Sequence, residues 1–172
     1  FIAQNYGAGR GERILKCYFV SLLYAFGAGL IFGLLIYACA DIFLSFFTGS
    51  AAVIEAGKQR LAVMCFSYAI SAFMDCTIAA SRGINKNVVP TVMVILGSCV
   101  FRIFWVFVIF PLGGTTTFLY LIYPVSWILT ATAEIIYFAV SYRKARRLLS
   151  ARADAERPAA DPAPAAEGQA EE

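Results

Sequence analysis

Apolar positions along this chain do not alternate, and they do not mark one helical stripe. They run on. Four stretches are long enough to cross a bilayer: about 17–40 with an interfacial extension to Phe47, then 61–81, 88–110 and 118–141. A spanning helix needs about 20 such residues. Each stretch is apolar around its whole circumference, as a helix surrounded by lipid and other helices requires. Membrane-barrel strands would alternate apolar and polar residues over ~10 positions, and these stretches do not. The pattern predicts an all-α membrane protein with four transmembrane helices. Turn residues separate them: Thr48-Gly49-Ser50, Arg82-Gly83-Ile84-Asn85-Lys86-Asn87, and Pro111-Leu112-Gly113-Gly114. Pro90 stands near the start of the third span, where proline is tolerated. Pro124 stands one or two turns into the fourth, which it is expected to bend.

The last segment changes character. Residues 151–172 are mostly Ala, Pro, Asp and Glu, without aromatic or bulky aliphatic side chains. Such a sequence buries too little apolar area to offset ordering the chain. Residues 148–172 are therefore expected to form a disordered Ala/Pro/acidic tail, with helix permitted at most to Arg157. Residues 1–16 are read as a cytoplasmic loop closing a preceding helix, and the chain as a piece of a longer protein.

Composition reinforces the membrane reading. The 172 residues are 60% hydrophobic and 15% charged, against ~45–50% and ~25% in aqueous domains. Histidine is absent, which excludes histidine acid–base chemistry and histidine metal sites. Five cysteines lie scattered in the apolar runs without metal-site spacing, so they read as packing residues. Basic residues flank the spans unequally. Eleven Lys and Arg lie before the first span, between the second and third, and after the fourth; Lys58 and Arg60 are alone on the other side. The positive-inside rule then places both ends in the cytoplasm. These charges fit a lipid surface and not a nucleic acid.

Few motifs carry chemistry. Gly7-Ala8-Gly9-Arg10-Gly11 lacks the spacing and the following Lys-Ser/Thr of a phosphate loop. No nucleophile–base pair is visible, so an enzyme is disfavoured, and no cofactor is expected. Gly29-Leu30-Ile31-Phe32-Gly33, preceded by Ala25, forms a small-residue ridge for close approach of a neighbouring helix. Asp75, Arg102 and Glu134 are ionisable residues inside spans. A charge in lipid costs at least ~2.5–3.5 kcal/mol, so each is expected to face protein or water. Asp75 and Glu134 are candidates to bind a proton or a cationic group during transport; structural pairing is the alternative. Arg102 is a third candidate transport residue, with anchoring to backbone carbonyls or a carboxylate as the favoured reading and a place in the substrate pathway as the alternative. Ser126, Thr130 and Glu134 share one helical face at i, i+4, i+8. With Ser71, Trp105 and Tyr123 they are candidate cavity-lining residues, since aromatic faces can hold organic cations.

The ordered set of motifs resembles the multidrug and toxic compound extrusion (MATE) transporters. Gln4-Asn5-Tyr6-Gly7-Ala8-Gly9 is similar to a helix-ending loop of that family. Ser81-Arg82-Gly83-Ile84-Asn85-Lys86-Asn87-Val88-Val89-Pro90 resembles its inter-helix link. Phe101-Arg102-Ile103-Phe104-Trp105, Phe110-Pro111 and Tyr123-Pro124-Val125-Ser126-Trp127 resemble the last two helices of many bacterial members. The resemblance covers residues 1–147. It implies a twelve-helix, two-lobe transporter of which this chain holds helices nine to twelve, with the earlier helices of the same polypeptide as partner. It further implies export of drugs or organic cations in exchange for protons or sodium across the bacterial plasma (inner) membrane. In some members a coupling carboxylate sits about one turn nearer the outside than Asp75, around Ser71. The alternatives are a lipid-linked oligosaccharide flippase of the same superfamily, expected to have a more cationic cavity, and a non-transporting membrane scaffold.

Overall fold

The computed structural model describes residues 1–155, and among them it consists of helices and turns without strands. A short helix α1 (Ile2–Gly7) ends at a turn in which Gly9 adopts a left-handed φ of +72°, a conformation glycine takes without a Cβ penalty. The long helix α2 (Gly11–Ala38) follows. After a break at Cys39, α3 (Ala40–Ser45) carries the interfacial extension. Asp41 on α3 accepts from the Lys58 ammonium at 2.9 Å, which pins α3 to the start of α4 (Ala51–Gly83). Helix α4 begins ten residues before its apolar run. Glu55, Lys58, Gln59 and Arg60 are good helix formers, so the helix continues beyond the apolar run.

Helix α5 (Val88–Leu112) has Pro90 in its first turn. It is not uniform: Ile95–Val100 and Trp105–Ile109 are π-helical, separated by one α-turn at Phe101–Phe104. A short α6 (Thr116–Tyr120) precedes α7 (Ile122–Ala155). The expected bend at Pro124 takes the form of a break at Leu121. Proline cannot donate to the carbonyl of Tyr120, four residues earlier. Restarting the helix at Ile122 puts Pro124 in a first turn, where that donor is not needed. At the other end α7 runs through Ala155, within the limit of Arg157 that the alanines permit. Its last turns, Leu148-Leu149-Ser150-Ala151-Arg152, are mostly strong helix formers. Leu149 is buried against the bundle and helps hold them. The tail reading from residue 156 onward lies outside the described residues.

Helices α4 and α7 form the centre, with α2 packed on α4 and α5 on α7. The glycine ridge makes the α2–α4 seam. Gly29 faces the backbone of Ala69. A Cβ on Gly33 would sit 2.7 Å from the carbonyl oxygen of Cys65, so the two backbones approach as only a glycine there permits. Between α4 and α7, Met74 and Ile78 pack on Trp127 and Ala131. Further along, Ala80 and Ile84 pack with Phe138 and Tyr142 and with Ile14 and Tyr18 of α2. Hydrogen bonds between helices include Tyr18 OH with Thr77 Oγ1 at 2.8 Å, and Tyr142 OH donating to the Gly11 carbonyl at 3.0 Å. The outward faces are apolar, with Phe19, Leu23, Phe32, Leu35, Phe107 and Ile136 all exposed. Water would not tolerate so continuous an apolar surface, whereas a bilayer requires it. The chain is a multi-pass, all-α membrane protein, with four helices among the described residues long and apolar enough to span a bilayer.

Candidate functional site

The polar chemistry of the spans gathers on α7. Ser126, Thr130 and Glu134 occupy one face at intervals of four residues, and all three are buried. Ser126 Oγ donates to the Tyr123 carbonyl at 2.9 Å, and Thr130 Oγ1 to the Ser126 carbonyl at 2.7 Å. These bonds stay within the helix and leave the hydroxyl oxygens able to accept from elsewhere. Arg102 uses that capacity. Its Nε donates to Ser126 Oγ at 3.1 Å, and its guanidinium lies 4.7 Å from the Tyr123 ring centre and 5.7 Å from that of Trp127. The expected carbonyl or carboxylate anchor is replaced by a hydroxyl and two ring faces. The reason is distance along α7: Glu134 lies eight residues beyond Ser126, roughly 12 Å of helix.

Glu134 is the most isolated polar group. It is 0% exposed, and neither carboxylate oxygen has a hydrogen-bond partner. Along α7 it falls between Ala131 and Phe138, which belong to the two apolar α4–α7 clusters. The buried residues of this stretch of α4 include the polar Thr77 and Ser81 beside Ile78 and Ala80, and the Ser81 hydroxyl is likewise unpartnered.

The structure does not bring Asp75 to this interior. Asp75 is exposed on α4, on an open face shared with Tyr68, Ala79 and Arg82. Ser71, one turn before it, is half-buried, and its hydroxyl donates to the Tyr68 carbonyl of its own helix at 2.8 Å. Tyr68 itself stacks toward Trp127 with ring centres 5.5 Å apart. Trp105 is buried between the rings of Phe101 and Phe118, at 5.8 and 5.3 Å. Its indole N–H has no acceptor. Among the described residues no cluster of Cys, Asp and Glu is placed to hold a metal ion.

A line of buried hydroxyls thus ends in a buried carboxylate, within a bundle of lipid-exposed helices. Comparison with known proteins gives the family of the chain. The MatE family model matches residues 1–108. The chain belongs to the MatE family. No curated protein and no solved structure matches it. Membership makes the MatE chain a MATE-type transporter domain, from a family of transporters and not of enzymes. The matched region takes in α1 to α4 and most of α5, with Asp75, Arg102 and Trp105; the Ser126–Glu134 stripe lies beyond it.

Several features of this chain were not read from its sequence. The π-helical turns of α5 have no composition signal. They re-aim the side chains of successive turns and are frequent at functional sites. A cavity of about 480 Å³ runs beside the first of them, lined by Gly97, Phe101, Phe104, Leu129, Thr130 and Ala133. Trp127 joins α4 to Arg102, and its place four residues after Tyr123 is the one signal for that role. Arg60, counted above as a loop charge, reaches the ring of Tyr120 at 6.0 Å and shares a second cavity with Arg102.

Proposed function

We propose that this chain is the greater part of the second lobe, helices nine to twelve, of a secondary active antiporter in the bacterial plasma (inner) membrane. The antiporter exports drugs or organic cations in exchange for protons or sodium, with both ends of this segment in the cytoplasm. The observation that carries the reading is the MatE match over residues 1–108. Two features support it. Glu134 is a carboxylate removed from water without a partner, and burial of that kind penalises the charged form unless a proton or cation accompanies it. Asp75 lies exposed on a spanning helix, and a carboxylate is too costly to leave facing lipid. Its face therefore suits the first lobe or the cavity between lobes. In this account Asp75 meets the cationic substrate or coupling ion at the lobe interface, and Glu134 holds the second site inside the lobe.

The test is efflux of a fluorescent organic cation from efflux-deficient bacteria that express the complete polypeptide. Proton and sodium gradients are collapsed separately. Efflux that stops with one of the two supports antiport and names the ion. Efflux indifferent to both gradients contradicts it.

A further inference from the structure

The second cavity carries a chemistry opposite to that of an organic cation. Its volume is about 280 Å³, and its walls include Arg60 on α4, Arg102 and Val106 on α5, Leu119 and Tyr120 on α6, and Tyr123 on α7. Two arginines thus line one small space. Each is backed by a tyrosine ring, Arg60 by Tyr120 at 6.0 Å and Arg102 by Tyr123 at 4.7 Å. Among the described residues, neither arginine is within salt-bridge distance of a carboxylate. Of the acids at that end of the bundle, Asp41 is occupied by Lys58 at 2.9 Å, and Glu55 lies beside Lys58 and bridges neither arginine. Arg102 spends its Nε on Ser126, which leaves its two terminal nitrogens directed away from that bond.

Two like charges converging without a counter-charge repel one another, and one of them sits well inside a span. Arg102 is ten residues from the end of α5, roughly 15 Å of helix. Arginine forks match the paired oxygens of phosphate groups. Ring faces behind the guanidiniums hold the forks in place. The apolar wall of Val106 and Leu119 would accept the carbon framework of an ester. The cavity lies at the end of the bundle away from the Arg82, Lys86 and Arg143–Arg147 charges, at the level where the apolar run of α4 begins. Its Arg60 rim thus lies near the end of the span, where a lipid headgroup can reach, and Arg102 lies deeper within.

We propose that the Arg60–Arg102 cavity is a phosphate-binding site, filled by the phosphodiester of a membrane lipid or by free phosphate. The bound anion neutralises Arg102 and ties α4, α5, α6 and α7 together at that end.

The experiment uses the complete polypeptide in nanodiscs of neutral phosphatidylcholine. Bound lipid is counted by native mass spectrometry as phosphatidylglycerol is titrated in, and thermal stability is followed as inorganic phosphate is added in a parallel arm. Saturable retention of phosphatidylglycerol assigns the lipid source; a shift with inorganic phosphate alone assigns the free anion. In either arm Arg60→Gln and Arg102→Gln are each expected to weaken binding about tenfold or more, the loss of one charge-assisted contact. Lys58→Gln, outside the cavity, is expected to leave binding unchanged. Arg60 is exposed, so its variant keeps the test valid even where Arg102→Gln fails to fold. No response in either arm, or binding indifferent to Arg60→Gln, overturns the proposal. Because the readout is binding and not efflux, this outcome is separate from that of the antiport test.

Discussion

Replacing Glu134 is expected to raise stability and abolish transport at once. The side chain is 0% exposed and both carboxylate oxygens lack partners. Burying a polar group without a hydrogen bond costs roughly 1–3 kcal/mol on the evidence of protein mutants. Glu134→Leu keeps the volume similar and removes that cost, so it should recover about that amount. Glu134→Gln keeps the shape but retains unpartnered polar atoms, so it should not stabilise. Neither variant can take up a proton or pair with a cation. Thermal unfolding of the purified polypeptide in detergent, followed by fluorescence size exclusion, reads the first effect. Efflux from cells with matched membrane abundance reads the second. The order expected is Leu above wild type in stability, Gln at or below it, and both inactive. A Leu variant destabilised by a similar amount would show that the carboxylate is satisfied, and the reasoning would fail. A stabilised Leu variant that still transports would remove Glu134 from the coupling mechanism.

Other expectations follow from the same geometry. Asp75→Asn should reduce gradient-driven efflux to background with unchanged abundance, because exposed substitutions rarely shift stability by more than about 0.5 kcal/mol; normal efflux would exclude a coupling role. Gly33→Ala should cost about 1–3 kcal/mol through overpacking, since its Cβ would meet the Cys65 carbonyl oxygen at 2.7 Å. Gly27→Ala meets nothing within 4 Å and should be neutral or stabilising; equal thermal stability of the two variants would contradict the α2–α4 seam. Tyr18→Phe should cost about 1 kcal/mol, because Thr77 keeps its second bond to the Phe73 carbonyl. A double-mutant cycle with Thr77→Val, read by thermal unfolding, should show that coupling.

The four spans were legible because lipid imposes a length and an apolar circumference that few other environments demand. The α7 face of Ser126, Thr130 and Glu134 was legible for a related reason: a spacing of four on a helix determines which residues share a side. The Gly29–Gly33 ridge likewise announced a close neighbour, though not that the neighbour was α4. What pairs across helices was not legible. Nothing local to Arg102 shows that Ser126, Tyr123 and Trp127 receive it, and nothing local to Arg60 places it beside Tyr120. Asp75 and Glu134 look alike in sequence, each one carboxylate in an apolar run. Their different fates, one exposed and one enclosed, follow from which face of α4 and of α7 meets the rest of the bundle. The start of α4 was not legible, because the polar helix formers at Glu55–Arg60 carry the helix outside the apolar run.

The most direct test of antiport is reciprocity. The purified complete polypeptide would be placed in liposomes with equal proton and sodium concentrations on both sides, and only an organic-cation gradient imposed. Internal pH and sodium would be followed with fluorescent indicators. The account predicts that the cation gradient drives one of the two ions in the opposite direction, and that Asp75→Asn abolishes the movement. Cation flux without counter-movement of either ion, or no flux from correctly inserted protein, would contradict it. Export of lipid-linked sugars would then become the reading to examine.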